Sequence, residues 1–346
     1  MKHLTVSCLL FADDLVLLAR HPAGLATLMD KTRTYFHYHR LDISEEKSKI
    51  MTYEATTGKM HFQGTQTTSI NLDQIITFKY LGVPISSAPY SLYKEFNDQV
   101  QRKARQYLAS ILSLVKRGPD RAELAYTLWS TCALPAILYG AEIIPLTKGT
   151  IKEVESCQNR VGKFILQLPS NSADLVANID AGFRPIWGIV AEKVLTYASK
   201  TLKRPSSYWP RVAMGVNIEL GNQVAYTRYL LSWKEEVKTN ILSLSQIRRD
   251  THRASINYVI REKQERPSVF AMNTPSPTSI NRWFRKKNWV SDSCLSKIVC
   301  LFRACNAGLG NRGPTKDGRS FKDCPLCAQN GLIAKNNEAR KTVSST

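Results

Sequence analysis

Apolar residues run from Leu9 to Ala19 almost without a break, yet Asp13 and Asp14 stand side by side at the midpoint. Such a run reads as buried strand, and burying a charge without a partner is costly. The pattern therefore predicts a hairpin: strand, tight turn at Ala12-Asp13-Asp14, strand back, with the acids exposed at the tip. Residues 41–53 follow as a polar, Lys-rich turn and then the apolar/polar alternation of a half-buried strand. Residues 78–85 read as a short strand in which Gly82 permits close backbone approach. Beyond this the period changes. Across residues 90–116, Leu92, Phe96, Val100, Ala104, Tyr107, Leu108, Ile111, Leu112 and Val115 recur at steps of three and four, an amphipathic helix ended by Gly118-Pro119. A second helix is predicted over residues 120–132, where Pro135 and Gly140 interrupt the pattern. A third is predicted over 151–168, with Lys152, Arg160 and Lys163 exposed and Pro169 closing it. Helical periodicity continues around 186–202, 223–242 and 245–263, and the Pro-containing stretch 265–279 reads as a linker.

The order of elements, strands first and helices after, defines an α+β chain. Its 346 residues are enough for two or three domains, and a 43% apolar fraction is that of a globular protein. The formal net charge of +20 points to a polyanionic partner, whose binding should weaken steeply with salt. Eight cysteines in a chain this long do not indicate a disulfide framework. The early apolar run is split by Asp13-Asp14, no small-residue cleavage site follows, and no stretch reaches the ~18 apolar residues of a membrane span. The expected setting is intracellular and nuclear, with no membrane.

The residues alone leave two readings of the acid pair open: a solvated β-turn, or paired carboxylates that hold Mg²⁺ for phosphoryl chemistry. Three segments in order bear on the choice. These are Phe11-Ala12-Asp13-Asp14-Leu15, then Leu41-Asp42-Ile43-Ser44-Glu45-Glu46-Lys47-Ser48-Lys49, then Phe78-Lys79-Tyr80-Leu81-Gly82. Together they resemble the reverse transcriptases of LINE-type non-LTR retrotransposons. In that family a Phe-Ala-Asp-Asp hairpin is followed by a helix, a Leu-x-Ile-Asn-x-x-Lys element and an aromatic-Lys-Tyr-Leu-Gly strand. Ser44 departs from the family's Asn, whereas Lys47 and Ser48 are kept.

The resemblance implies a fold of partial reverse-transcriptase palm (β-hairpin plus helix and strands) over residues 1–88. A helical thumb over 89–183, a helical connection region over 184–264, the linker 265–279 and a basic C-terminal region over 280–346 would follow. It also implies two-metal nucleotidyl transfer with Mg²⁺, an RNA template and a DNA primer. Asp13 would be the direct metal ligand, Asp14 a supporting one, and Lys47 would stand near the incoming nucleotide's phosphates. Phe78, Lys79, Tyr80, Leu81 and Gly82 would form the primer grip. Arg102, Lys103 and Arg105 on the first long helix, and Arg282, Arg285, Lys286 and Lys287 in the densest basic–aromatic cluster, are candidate nucleic-acid contacts. For each of these a solvated face or an ordinary core strand remains the competing reading. The Glu155-x-x-Gln158-x-x-x-x-Lys163-Phe164 pattern also resembles the family's thumb.

At the far end, Cys324-Pro325-Leu326-Cys327 looks like the start of the family's zinc knuckle. No His or Cys follows Cys327, so half of the tetrahedral ligand set is absent and no zinc site is expected. Upstream of Asp13 there is no room for the fingers or for the palm strand that supplies the third carboxylate. The chain is thus expected to be a C-terminal fragment that does not polymerise until joined to the missing N-terminal half. The alternative is a non-catalytic nucleic-acid-binding remnant or a pseudogene product.

Overall fold

A computed structural model describes residues 6–52, 58–62, 70–115, 121–172, 174–220, 224–225 and 243–265. The chain divides into two compact units, residues 1–96 and 97–346.

The first unit opens with strands β1 (Cys8–Phe11) and β2 (Asp14–Leu17), an antiparallel pair closed by the Phe11–Asp14 pairing. The expected hairpin is therefore present. Its burial is not as expected: β1 is exposed along all four residues, with Leu10 at 70% and Phe11 at 62%. A two-stranded ribbon is a single layer, and helix α1 (Pro22–Tyr38) packs beside β2, so β1 keeps its solvent. Pro22 in the first turn of α1 fits the helix start, where a missing N–H costs nothing.

Strands β3 (Lys49–Ile50), β4 (Gly58–Phe62) and β5 (Ile70–Gln74) form a sheet in the order β3-β5-β4. The β3–β5 pair is parallel and the β4–β5 pair antiparallel. Leu25 and Met29 of α1, with Ile43, pack on the buried Ile50 and Leu72. Lys49 Nζ meets Asp73 Oδ2 at 2.6 Å across the β3–β5 pair.

Strands β6 (Thr77–Tyr80) and β7 (Val83–Ser86) form a second hairpin around Leu81-Gly82. The single strand predicted over 78–85 is thus two strands and a turn. Leu81 and Gly82 both have positive φ, 47° and 82°, as a two-residue turn between right-twisting strands needs. Gly82 supplies that conformation at no steric cost.

Helix α2 (Pro89–Val115) carries its predicted apolar face inward, with Phe96, Val100, Ala104, Leu108, Ile111 and Val115 buried. In the second unit α3 (Arg121–Thr127) runs through a π-helical stretch, Leu128–Ala133, into α4 (Leu134–Ile137). The interruption expected at Pro135 does not occur. The wider π ring makes the Leu134 N–H → Trp129 O bond and admits a proline that has no N–H to donate. The chain turns after Ile137, and Gly140 in that turn has φ 87°.

Helix α5 (Lys148–Ile165) starts three residues before the expected position, capped by Thr147, whose side chain accepts the Thr150 N–H. Buried Asn97 ties α2 to this start, donating to Pro145 O at 3.3 Å and accepting Thr147 N–H at 2.9 Å. Lys163, expected exposed, folds under the following loop instead. Its ammonium donates to Ser170 O at 2.8 Å and pairs with Asp174 at 2.5 Å.

Helix α6 (Asp174–Ala181) packs on α5, and α7 (Ile186–Leu202) packs on α5, on α8 (Trp209–Glu219) and on α9 (Leu244–Glu265). Neither α6 nor α8 was predicted. The region 223–242 apart from residues 224–225, the linker 265–279 apart from Glu265, and everything after it lie outside the described residues.

The α7–α9 contact is close enough to predict a compensating pair. A Cβ at Gly188 would stand 2.5 Å from Ser255 Oγ but 3.8 Å from Ser255 Cβ. Ser255 Oγ donates to Thr251 O at 2.8 Å, so moving it breaks a buried hydrogen bond. Gly188→Ala should therefore lose about 1–2 kcal/mol despite its better helix propensity. Adding Ser255→Ala should recover most of that loss in urea melts analysed as a double-mutant cycle. A Gly188→Ala protein as stable as the parent would refute the close contact.

Candidate active site

Asp13 lies in the β1–β2 turn and Asp14 begins β2, so local pairing alone puts both carboxylates at the tip. Both are exposed, and among the described residues no ion pair engages either one. The turn is unusual in its backbone. Ala12 has φ 53°, in the left-handed region where a Cβ meets the following carbonyl at a cost of about 1 kcal/mol or more.

As a donor set, two exposed carboxylates suit Mg²⁺, which takes one or two carboxylates and fills the rest of its octahedron with water and phosphate oxygens. Among the described residues no group of three or more His, Cys, Asp or Glu side chains stands together to hold a metal ion. The pair can therefore supply part of a two-metal site.

Lys47 is exposed in the turn between α1 and β3. Its backbone N–H donates to Ser44 Oγ at 3.4 Å, and Ser48 N–H donates to Ser44 O at 2.9 Å. Ser44 thus closes the turn with the short polar side chain that an Asn would also offer. In the β6–β7 hairpin Lys79 is exposed opposite buried Pro84, while Phe78, Tyr80, Leu81 and Gly82 are half-buried. No hydrogen bond or ion pair among the described residues joins Asp13 or Asp14 to the Lys47 side chain or to the second hairpin.

The three cations of α2 differ. Arg102 is exposed. Lys103 Nζ donates to Ala136 O at 3.4 Å, and Arg105 Nε pairs with Glu153 Oε1 at 2.7 Å, so these two hold α2 to its neighbours. Arg282, Arg285, Lys286, Lys287, Cys324 and Cys327 lie outside the described residues.

The Glu155-x-x-Gln158 pattern proves to be an anchor between helices. Glu155 Oε2 accepts the Ile186 N–H at 3.0 Å, capping the start of α7. Gln158, fully buried, donates to Arg184 O at 2.9 Å and accepts from Trp129 Nε1 at 3.3 Å. Burial pushes the Glu155 carboxyl up from 4.5 to about 7, and the Ile186 hydrogen bond offsets only part of this.

A carboxyl that holds its proton more tightly folded than unfolded stabilises the fold below pH 4.5, and that contribution is lost as pH rises through about 7. At about 1.36 kcal/mol per pH unit the loss is up to about 3 kcal/mol. Glu155→Gln keeps the acceptor oxygen without the charge. Compared with the parent in urea melts at pH 5 and pH 8, it should gain relative stability at the higher pH. An unchanged difference between the two proteins across that range would refute the shift.

The class that fold and site define is a mixed α+β protein with an acidic hairpin tip at the surface of one unit and a helical second unit. The chain is similar to the retrovirus-related Pol polyprotein from the type-1 retrotransposable element R2 of Popillia japonica. The two are 25% identical over 263 residues, a match that takes in 69% of this chain and 41% of that protein. This supports a relationship to retrotransposon polyproteins, and the chain spans less than half the length of the curated relative it matches. No protein-family model and no solved structure matches the chain. No helix of the described residues is long and apolar enough to cross a membrane.

Proposed function

We propose that the chain is part of an RNA-directed DNA polymerase of a non-LTR retrotransposon, carrying half of its palm and its helical thumb. The observation that carries this reading is the Asp13-Asp14 pair, exposed at the tip of a tight β-hairpin. The similarity to an R2 Pol polyprotein supports it. Asp13 binds metal directly and Asp14 supports it. Bound Mg²⁺ would lower the pKa of the primer 3′-hydroxyl and offset charge on the leaving pyrophosphate.

The chain's other residues orient the reactants. Lys47 faces the nucleotide phosphates, the backbone of Phe78 to Gly82 places the primer end, and Arg102 on α2 meets the template–primer backbone. RNA template and DNA primer are the partners, and the setting is nuclear.

Two-metal transfer needs a further carboxylate beside the pair, and none stands there among the described residues. The chain matches 41% of that polyprotein, and we infer that it is inactive alone and works when joined to further polymerase sequence. Primer extension on an RNA template with Mg²⁺ tests this. The expected result is none from the purified chain and sustained extension from the joined protein. Extension by the chain alone would overturn the claim of inactivity. A joined protein that binds template–primer but never extends it would favour the non-catalytic, nucleic-acid-binding alternative.

A further inference from the structure

From the last turn of α7 into the first turn of α8 the chain reads Lys200-Thr201-Leu202-Lys203-Arg204-Pro205-Ser206-Ser207-Tyr208-Trp209-Pro210-Arg211, with four cations and no carboxylate. Residues 203–209 are exposed without exception. Two of them are large aromatics, Tyr208 at 44% and Trp209 at 42%, so both rings present surface to solvent.

The loop is nevertheless well tied. Tyr208 N–H donates to Pro205 O at 2.9 Å, and Arg211 and Val212 N–H donate back to Tyr208 O at 2.9 and 3.1 Å. The Arg204 guanidinium lies over the Tyr208 ring, 5.8 Å from its centroid, and Arg211 Nη1 donates to the Arg204 carbonyl. Pro205 and Pro210 restrict the backbone at either side. The Tyr208 ring and the Arg204 and Arg211 guanidinium groups are thus set in place before any ligand arrives, which lowers the ordering cost of binding.

Flat π-faces interleaved with guanidinium and ammonium groups are the chemistry that takes unstacked bases and their phosphates. An acidic protein segment would use the cations but leave the two rings without a role.

We infer that the Lys203–Arg211 loop binds single-stranded nucleic acid, with Tyr208 and Trp209 stacking on bases and Lys203, Arg204 and Arg211 meeting phosphates. The inference rests on the nucleic-acid part of the proposed function and is independent of polymerase chemistry.

The test is fluorescence anisotropy of the full chain with a labelled oligoadenylate of about ten nucleotides, within the range one such site covers. A Tyr208→Ala/Trp209→Ala variant should bind about tenfold or more weakly, while Tyr208→Phe, which keeps the ring, should bind as the parent does. Lys203→Glu, a charge reversal at an exposed position, should weaken binding and make the salt dependence shallower. Its exposure keeps the proposal testable should the aromatic double variant fail to fold.

A folded double variant that binds like the parent overturns the site while leaving the wider reading intact. The same holds if polyglutamate displaces the RNA at equal charge, which would mark a surface for acidic protein. A parent chain that binds no single-stranded nucleic acid even at low salt removes both the site and the wider reading.

Discussion

Asp13→Asn in the joined polymerase is expected to lower primer extension by about a thousandfold and to leave RNA binding by this chain unchanged. A metal ligand acts through the charge the metal sets against the reacting oxygens, worth several kcal/mol. About 1.36 kcal/mol corresponds to tenfold in rate. Asparagine keeps the shape and removes the anion. The substitution should not disturb folding, since the side chain is exposed at a turn and engages in no ion pair among the described residues; the expected change is within about 0.5 kcal/mol. Asp14→Asn, at the proposed supporting position, should cost about ten- to a hundredfold. Matched rate and anisotropy measurements separate the roles. An Asp13→Asn enzyme that retains more than a tenth of parental rate would remove Asp13 from the metal site.

The largest effect on stability should come from Gln158→Ala. That side chain satisfies the Arg184 carbonyl and the Trp129 indole N–H in a site closed to water. Alanine leaves both groups unpaired and opens a cavity. Together these cost about 3–5 kcal/mol. Gln158→Met keeps most of the volume and loses only the hydrogen bonds, so it should cost about 1–3 kcal/mol. The urea midpoint of the helical unit should fall in the order parent, Met, Ala. If the two variants have equal midpoints, the cavity contributes nothing. If neither differs from the parent, Gln158 is not an anchor.

Several elements were legible in the sequence because one physical signal dominated each. Helix α2 follows the apolar recurrence from Leu92 to Val115, and α7 was predicted with the bounds it has. The acidic hairpin was legible because two carboxylates in an apolar run leave few other solutions. The misreadings have equally local causes. Pro135 looked like a helix end because a break is its usual effect, and a π stretch that absorbs it leaves no mark in hydrophobic periodicity. The β6–β7 turn was hidden because Leu81 occupies a left-handed conformation where Asn is the usual signal.

Helix α8 begins at Trp209-Pro210, and a proline at N1 is a start signal easily taken for a breaker. Lys163 was placed on the wrong side because the residues that cover it, Ser170 and Asp174, come after the helix ends. At the candidate site, residue types pointed to chemistry, but partners could only come from coordinates. That Lys103 and Arg105 are tied to Ala136 and Glu153 is invisible in any run of charges.

The carboxyl that caps α7 also makes the protein its own proton gauge. Since the Ile186 amide hydrogen rests on Glu155 Oε2, its chemical shift should follow the charge on that oxygen. In ¹⁵N-edited spectra recorded across the neutral range, this one backbone signal should trace a titration centred at about 7, while amides elsewhere along α7 move far less.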